Sequence, residues 1–301
     1  METLSVKFRD LFKEALSLTT AATQVTEQNV YQEGDRRILP FLDKIVETLT
    51  LPGSGMRGMD NLRELYEKAM GGASCLLLPE HYSNLDLSLF SRLLRDDSER
   101  GKEIDRAVVA IAGLKLNESS LSVAAFAGAY TRLVIYPSRS LQDLDAEKDR
   151  AEIVRSNAIN RAAMKALLDI KTKGRMVLVF PSGTRYRPWD PSTKKGVREI
   201  DSYIKSFDYF CPVAVNGEVL HVRRDGSGSM LDDYVSEDVV LITAGKIVSS
   251  AEFRARRRAE ADAAGIADKK QYTVDGIMHI LETMHNEAET ERLTIPGAVQ
   301  R

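Results

Sequence analysis

The pattern of hydrophobic and polar positions changes near residue 70. In residues 1–70, apolar side chains such as Leu4, Phe8 and Leu11 recur every three or four positions with charged residues between them. This period predicts amphipathic helices. A Pro-Gly-Ser-Gly stretch at residues 52–55 breaks the pattern, and nothing in this part has the period of a strand. We therefore predict a small helical domain over residues 1–70.

From residue 71 onward, short apolar runs of strand length alternate with helical patterns. The apolar runs lie at residues 75–79, 107–112, 133–136, 175–180, 212–215 and 239–243. The helical patterns lie at residues 85–94, 121–130, 146–173, 251–264 and 274–289. Runs that are apolar on both faces suit a sheet covered on both sides, and strands that alternate with helices form α/β domains. We predict an α/β domain over residues 71–301, with a mixed or mostly parallel sheet covered by helices on both faces.

Composition narrows the class of protein. The chain has 301 residues, of which 43% are hydrophobic and 29% charged, with a net charge of −2. This balance is typical of a globular protein and argues against a dedicated nucleic-acid binder. Cys75 and Cys211 lie in apolar runs, which indicates buried thiols in a reducing compartment. Without a targeting pattern or an apolar run of roughly 18 to 20 residues, we expect a cytoplasmic protein that touches a membrane only peripherally.

The first strand of the α/β region is followed directly by polar residues. His81 lies on the predicted loop, and Asp86 lies on the first turn of the next helix. Such loops hold ligands in α/β proteins. If Asp86 accepts the Nδ1 proton of His81, the Nε2 atom is left as a general base. The alternative is a loop histidine beside an acidic residue favoured at a helix N-terminus, and the spacing alone does not separate the two interpretations.

The other three histidines carry weaker signals. His279 and His285 lie on a predicted helix, with acidic neighbours such as Glu282 and Glu289 at ordinary helical spacing. His221 lies beside two arginines. We interpret all three as surface or structural residues.

Arginines follow two further strands. After the fourth apolar run, Gly183 permits close approach of the backbone, and Arg185 and Arg187 point to the same side of an extended stretch. Two guanidinium groups on one side form a phosphate clamp, and Arg139 follows the third apolar run. The alternative is a set of solvated surface arginines. Together with His81, however, they indicate a site for a phosphate-bearing alcohol.

These residues resemble the four sequence blocks of the glycerolipid acyltransferase superfamily. The blocks correspond here to residues 81–86, 136–140, 180–185 and 212–215. Residues 181–193 are most similar to the soluble, plastid-type glycerol-3-phosphate acyltransferases, which also have a helical domain ahead of the α/β domain. Two departures are Glu80, where Asn often precedes the catalytic histidine, and Ser140, where that branch has a histidine.

The resemblance implies a reaction and a set of site residues. The reaction is transfer of a fatty acyl group from acyl carrier protein or coenzyme A to the sn-1 hydroxyl of glycerol 3-phosphate, a step of phospholipid biosynthesis. His81 and Asp86 correspond to the catalytic pair. Arg139, Arg185 and Arg187 correspond to phosphate-binding positions. No metal or redox cofactor is implied.

Some roles stay open at this point. Backbone N–H groups near Ser182 and Gly183 can stabilise an oxyanion or line the pocket. A 1-acyl-glycerol-3-phosphate 2-acyltransferase needs the same base and the same clamp. A non-catalytic phospholipid-binding protein of the membrane surface is an alternative of another class. The basic run at residues 254–258 would then contact anionic lipid, although it also fits a solvated helix face or a docking site for an acidic carrier protein.

Overall fold

The computed structural model describes residues 1–19, 24–118, 120–141, 145, 147–224 and 231–300, apart from the side chain of Arg139. The strands are β1 (Tyr31–Gln32), β2 (Gly55–Arg57), β3 (Cys75–Pro79), β4 (Val108–Gly113), β5 (Arg132–Ile135), β6 (Met176–Leu178), β7 (Tyr209–Asn216), β8 (Leu220–His221), β9 (Tyr234–Val235), β10 (Leu241–Ala244) and β11 (Val248–Ser249). The helices are α1 (Leu4–Lys7), α2 (Arg9–Leu18), α3 (Leu39–Leu49), α4 (Met59–Met70), α5 (Asp86–Asp97), α6 (Glu99–Ala107), α7 (Lys115–Glu118), α8 (Leu121–Ala127), α9 (Arg150–Ile170), α10 (Ile200–Ser206), α11 (Ser250–Ala263) and α12 (Lys269–Arg292). Short 3-10 helices lie at Arg36–Ile38, Ser138–Leu141 and Pro191–Lys194.

One large mixed sheet organises the molecule. Its strand order is β1-β5-β4-β6-β3-β7-β10-β2, and β11 also pairs with β7. The five central strands β5, β4, β6, β3 and β7 are parallel, whereas β10 and β1 run antiparallel to their central neighbours. The predicted fold class is confirmed. Because parallel strands end at the same edge of a sheet, the loops after β3, β5, β6 and β7 meet there.

Both faces of the sheet are covered, as predicted from the strands whose residues are apolar on both faces. Leu77 belongs to a core that includes side chains of α3 to α6. Its neighbours Leu76 and Leu78 belong to a second core on the other face, built with side chains of α9 to α12. This alternation follows from the two-residue period of a strand. Each such leucine, fully buried, contributes roughly 1.5–3 kcal/mol.

Residues 1–70 join this sheet and its core. The predicted helices are present, and Leu4, Phe8 and Phe12 pack in the same core as β3. The expectation of a strand-free segment was wrong, since β1 pairs with β5 and β2 pairs with β10 at the two edges. Strands of two and three residues are too short to display a period. A smaller cluster around Ile38 also includes Ala129, so it too extends past residue 70.

Both cysteines are buried and free, as expected. Burial raises the pKa of the Cys75 thiol and of the Cys211 thiol to about 12. These thiols therefore stay protonated and are poor nucleophiles. In the part of the chain that the structure describes, no helix is both long enough and apolar enough to cross a membrane.

The C-terminal helix α12 is held by a buried ion pair. Arg292, whose side chain is 2% exposed, places Nη1 2.9 Å from the Asp238 Oδ1 atom of a fully buried carboxylate. Arg292 also donates to Glu289 and to the Val239 carbonyl. Since Asp238 lies just ahead of β10, this pair fixes the end of α12 against the sheet.

Asp238→Ala is expected to lower the free energy of unfolding by about 3–5 kcal/mol. It removes the fully buried one of the two carboxylates that pair with Arg292, and it leaves the Val239 N–H without its acceptor. Urea denaturation measures this. Glu47→Ala, which removes a carboxylate from an exposed pair with Lys44, serves as the control and should change stability by at most about 0.5 kcal/mol. Equal losses in the two variants would contradict the role given to the buried pair.

Candidate active site

His81 and Asp86 meet at the carboxyl end of β3. The His81 Nδ1 atom lies 2.9 Å from Asp86 Oδ2, and the two side chains are 18% and 3% exposed. Because an ionised carboxylate only accepts hydrogen bonds, this contact places the ring proton on Nδ1. Nε2 then keeps its lone pair, and no residue in the described ranges bonds to it. The predicted contact between the two side chains is present.

The Asp86 carboxylate is fixed by three further donors. The Tyr82 N–H and the Ser83 N–H donate to Oδ2 at 2.7 and 2.9 Å, and the Ser83 hydroxyl donates to Oδ1 at 2.6 Å. Asp86 is the first residue of α5, where the helix dipole stabilises a negative charge. The five-residue spacing places the carboxylate under the loop that carries His81. The acid is thus held rigidly before any ligand arrives.

The stretch that follows β6 lies against His81. The Phe180 ring stacks on the imidazole with centroids 4.0 Å apart. The Tyr186 N–H donates to the His81 carbonyl at 2.8 Å, and the Tyr186 ring meets Tyr82 edge to face at 5.9 Å. Two neighbouring strand ends therefore form one wall around the histidine.

A tight turn shapes this stretch. Gly183 has a φ of +64°, a conformation that glycine adopts without strain. A Cβ atom there would lie 3.2 Å from a methyl group of Val197. The Gly183 N–H donates to the Phe180 carbonyl at 3.0 Å, and the Ser182 hydroxyl donates to the Thr184 carbonyl at 2.7 Å. Because the turn uses the Gly183 N–H, that group is not available to an oxyanion.

Gly183→Ala is expected to destabilise the protein by more than Gly265→Ala. Gly265 has a similar φ of +67° but open space around its Cα, so its substitution costs only the backbone term of about 1–2 kcal/mol. Gly183→Ala adds overpacking against Val197, typically about 1–3 kcal/mol. Thermal or urea unfolding of the two variants measures the difference. Equal costs would show that the turn can shift away from Val197.

Of the predicted phosphate-binding arginines, Arg185 is paired with a carboxylate, whereas the guanidinium of Arg187 has no partner among the described residues. Arg185 forms a buried ion pair with Asp233, with side chains 14% and 4% exposed. Burial raises the pKa of the Asp233 carboxyl, and the Arg185 charge opposes this shift. The Arg187 N–H donates to Thr193, and its guanidinium has no hydrogen bond or ion pair with any described residue. Arg185 and Arg187 flank Tyr186, whose backbone N–H bonds to the His81 carbonyl.

Arg139 lies farther along the same edge of the sheet. It belongs to the short helix Ser138–Leu141, which follows β5, and its side chain is outside the described residues. In the strand order, β5 is three positions from β3, or about 14 Å at the usual strand spacing of roughly 4.8 Å. Its predicted role as a phosphate ligand stays a prediction.

Glu80 and His285 form a contact next to His81 that no local sequence pattern indicates. Glu80 is 6% exposed, and its Oε2 atom lies 2.8 Å from His285 Nδ1. The expectation of local pairing along the helix was wrong for His285, because its partner is 205 residues away along the chain. No periodic pattern carries such a contact. The one available signal was a carboxylate at the end of a fully apolar strand.

The basic run at residues 254–258 is largely engaged within the protein. Arg254 and Arg258 contact the buried Asp201 carboxylate at 2.9 and 3.4 Å, and Arg257 pairs with an acidic residue of its own helix. Arg256 is the most exposed of the four, at 65%. Two of the four charges therefore join α11 to α10 and a third is paired within α11, so the run is not a free basic patch.

Comparisons with known proteins found a similarity of structure but none of sequence. No protein-family model and no curated protein matches the sequence. Among solved structures, the chain is similar to the 1-acyl-sn-glycerophosphate acyltransferase PlsC from Thermotoga maritima. The two share 13% sequence identity with a TM-score of 0.41, over 92% of this chain and 88% of that one. A similarity of this degree does not indicate the activity of this chain.

Proposed function

We propose that the protein is a glycerol-3-phosphate 1-O-acyltransferase of phospholipid biosynthesis. It would transfer a fatty acyl group from acyl carrier protein or coenzyme A to the sn-1 hydroxyl. The observation that carries the proposal is the contact of 2.9 Å between His81 Nδ1 and Asp86 Oδ2, with Nε2 left unpaired among the described residues. A base with an orienting acid is the arrangement that activates a hydroxyl group.

The proposed reaction is direct acyl transfer. Nε2 of His81 removes the proton from the acceptor hydroxyl while the oxygen attacks the carbonyl carbon of the thioester. The carbon–sulfur bond then breaks, and the thiolate takes the proton from the imidazolium. Asp86 holds the ring and stabilises its positive charge. General base catalysis of this kind contributes about 10²–10⁴-fold to the rate.

The two arginines that flank Tyr186 support a phosphate-bearing acceptor. The Arg187 guanidinium is unpaired among the described residues. Arg185 uses Nη1 for Asp233, and its other donors have no partner in the part of the chain that the structure describes. Guanidinium groups bind phosphate oxygens through paired, charge-assisted hydrogen bonds. Fixing the phosphate restricts the position of the hydroxyl relative to Nε2, which lowers the entropic part of the barrier.

His81→Ala is expected to reduce acyl transfer by at least about 10²-fold, because the variant lacks the base. The assay offers the purified protein glycerol 3-phosphate with acyl carrier protein and coenzyme A thioesters, and quantifies the acylated product. His279→Ala removes an exposed imidazole from α12 and should leave turnover unchanged. Undiminished turnover in His81→Ala would contradict the mechanism.

The same assay separates the alternatives for the acceptor. Faster acylation of 1-acyl-glycerol 3-phosphate than of glycerol 3-phosphate would assign the protein to the second acylation step. Binding to anionic liposomes without transfer to either acceptor would favour a non-catalytic lipid-binding protein. Both outcomes would replace the proposed activity.

Arg187→Ala is expected to raise the KM for glycerol 3-phosphate by about 10- to 100-fold with a smaller change in kcat. Hydrogen bonds to a charged group are worth about 1.5–3 kcal/mol, and a loss of uniform binding appears in KM. Arg198→Ala is the control, since this arginine is 57% exposed and pairs with Asp268. An unchanged KM in Arg187→Ala would exclude a phosphate contact at this position.

A further inference from the structure

A second carboxylate–imidazole pair lies next to the first. Glu80 directly precedes His81, and its Oε2 atom accepts from His285 Nδ1 at 2.8 Å and from the Val215 N–H at 3.0 Å. Its Oε1 atom accepts from the Tyr82 hydroxyl at 2.9 Å. The buried carboxylate is thereby satisfied by three donors from three parts of the chain.

Tyr82 joins the two pairs. Its hydroxyl donates to Glu80, and its backbone N–H donates to Asp86 Oδ2 at 2.7 Å. Burial, together with the negative charge of Glu80, raises the pKa of the Tyr82 hydroxyl well above its usual range, so the group stays a donor. Hydrogen bonds at the two ends of Tyr82, its hydroxyl and its backbone N–H, thus connect the pair of His285 and Glu80 to the pair of Asp86 and His81.

The His285 end of these connected pairs is firmly anchored. The Asn216 side chain, at the end of β7, donates to the His285 carbonyl and to Glu289 Oε2, both at 2.9 Å. Glu289 in turn pairs with Arg292. The backbone of α12 at His285 is therefore tied to the strand beside β3. A rigid support of this kind limits the movement of the groups that it holds.

We propose that His285 and Glu80 are positioning residues that hold Tyr82, and through it Asp86 and His81, in the reactive geometry. The inference rests on the function proposed above. The physical reason is that a catalytic group displaced by about 1 Å loses about 10²-fold in rate. The competing interpretation is a structural tie that joins α12 to β3 without affecting His81.

Tyr82→Phe separates the two interpretations. It removes only the hydroxyl that links Glu80 to the Tyr82 ring and leaves the contact between Glu80 and His285 in place. A positioning role predicts that kcat falls by about 10-fold or more. The KM for the acceptor should stay within about twofold of the wild-type value. A structural tie between α12 and β3 predicts no change in either constant.

Variants of His285 complete the test. His285→Ala is expected to lower kcat by about 10-fold or more, whereas His285→Asn, whose amide N–H takes the place of Nδ1–H, should recover most of the rate. His279→Ala is the matched control, since it removes an exposed histidine from the same helix. Wild-type kcat in both Tyr82→Phe and His285→Ala would overturn the proposal.

A second measurement does not depend on turnover. The downfield proton signal of His81 Nδ1–H, assigned by its loss in His81→Ala, reports the bond to Asp86. The proposal predicts that this signal shifts or broadens in Tyr82→Phe and His285→Ala but not in His285→Asn or His279→Ala. An unchanged signal in the first two variants would refute the positioning role. Absence of acyl transfer by the wild-type protein would refute the proposed function alone.

Discussion

The Asp86 carboxylate is the interaction on which the site depends. It accepts from the His81 ring, from two backbone N–H groups and from the Ser83 hydroxyl, at the N-terminus of α5. A buried charge is tolerable only when donors satisfy it, so the loop has little freedom to fold in another way. The same bonds that make the charge tolerable also orient the imidazole. The hydrogen bonds to Asp86 therefore both stabilise the loop and set the geometry of the site.

The sheet explains why this loop lies where other strand ends can reach it. The central strands are covered on both faces, so their polar chemistry is confined to the ends. The carboxyl ends of β3, β6 and β7 are adjacent. Phe180 and Tyr186 contact His81 from the β6 side, and Val215 of β7 contacts Glu80 from the other side. The site is thus formed by three neighbouring strand ends, and residues separated by a hundred positions in the chain line the same histidine.

Buried polar contacts, in addition to the hydrophobic core, fix α12. Apolar side chains pack the helix on the sheet but allow small shifts along its axis. The pairs of Arg292 with Asp238 and of His285 with Glu80 require a single position, because any displacement leaves a buried charge unsatisfied. This requirement connects the last helix of the described chain to the loop that carries His81. It also shows how a residue far from the loop in sequence can affect the geometry of the base.

The sequence by itself determined the features whose partners are close along the chain. Apolar runs placed the central strands. The five-residue spacing of His81 and Asp86 allowed a contact between them, which the arginines at other strand ends and the family resemblance then favoured. The tertiary structure alone decided the rest. The edge strands β1 and β2 are too short to show a period and exist because a neighbouring strand pairs with them. Glu80 contacts His285, and Arg185 contacts Asp233, only because distant segments pack together. The partner of a buried charge depends on which element the fold places beside it, and the sequence near the charge does not show this.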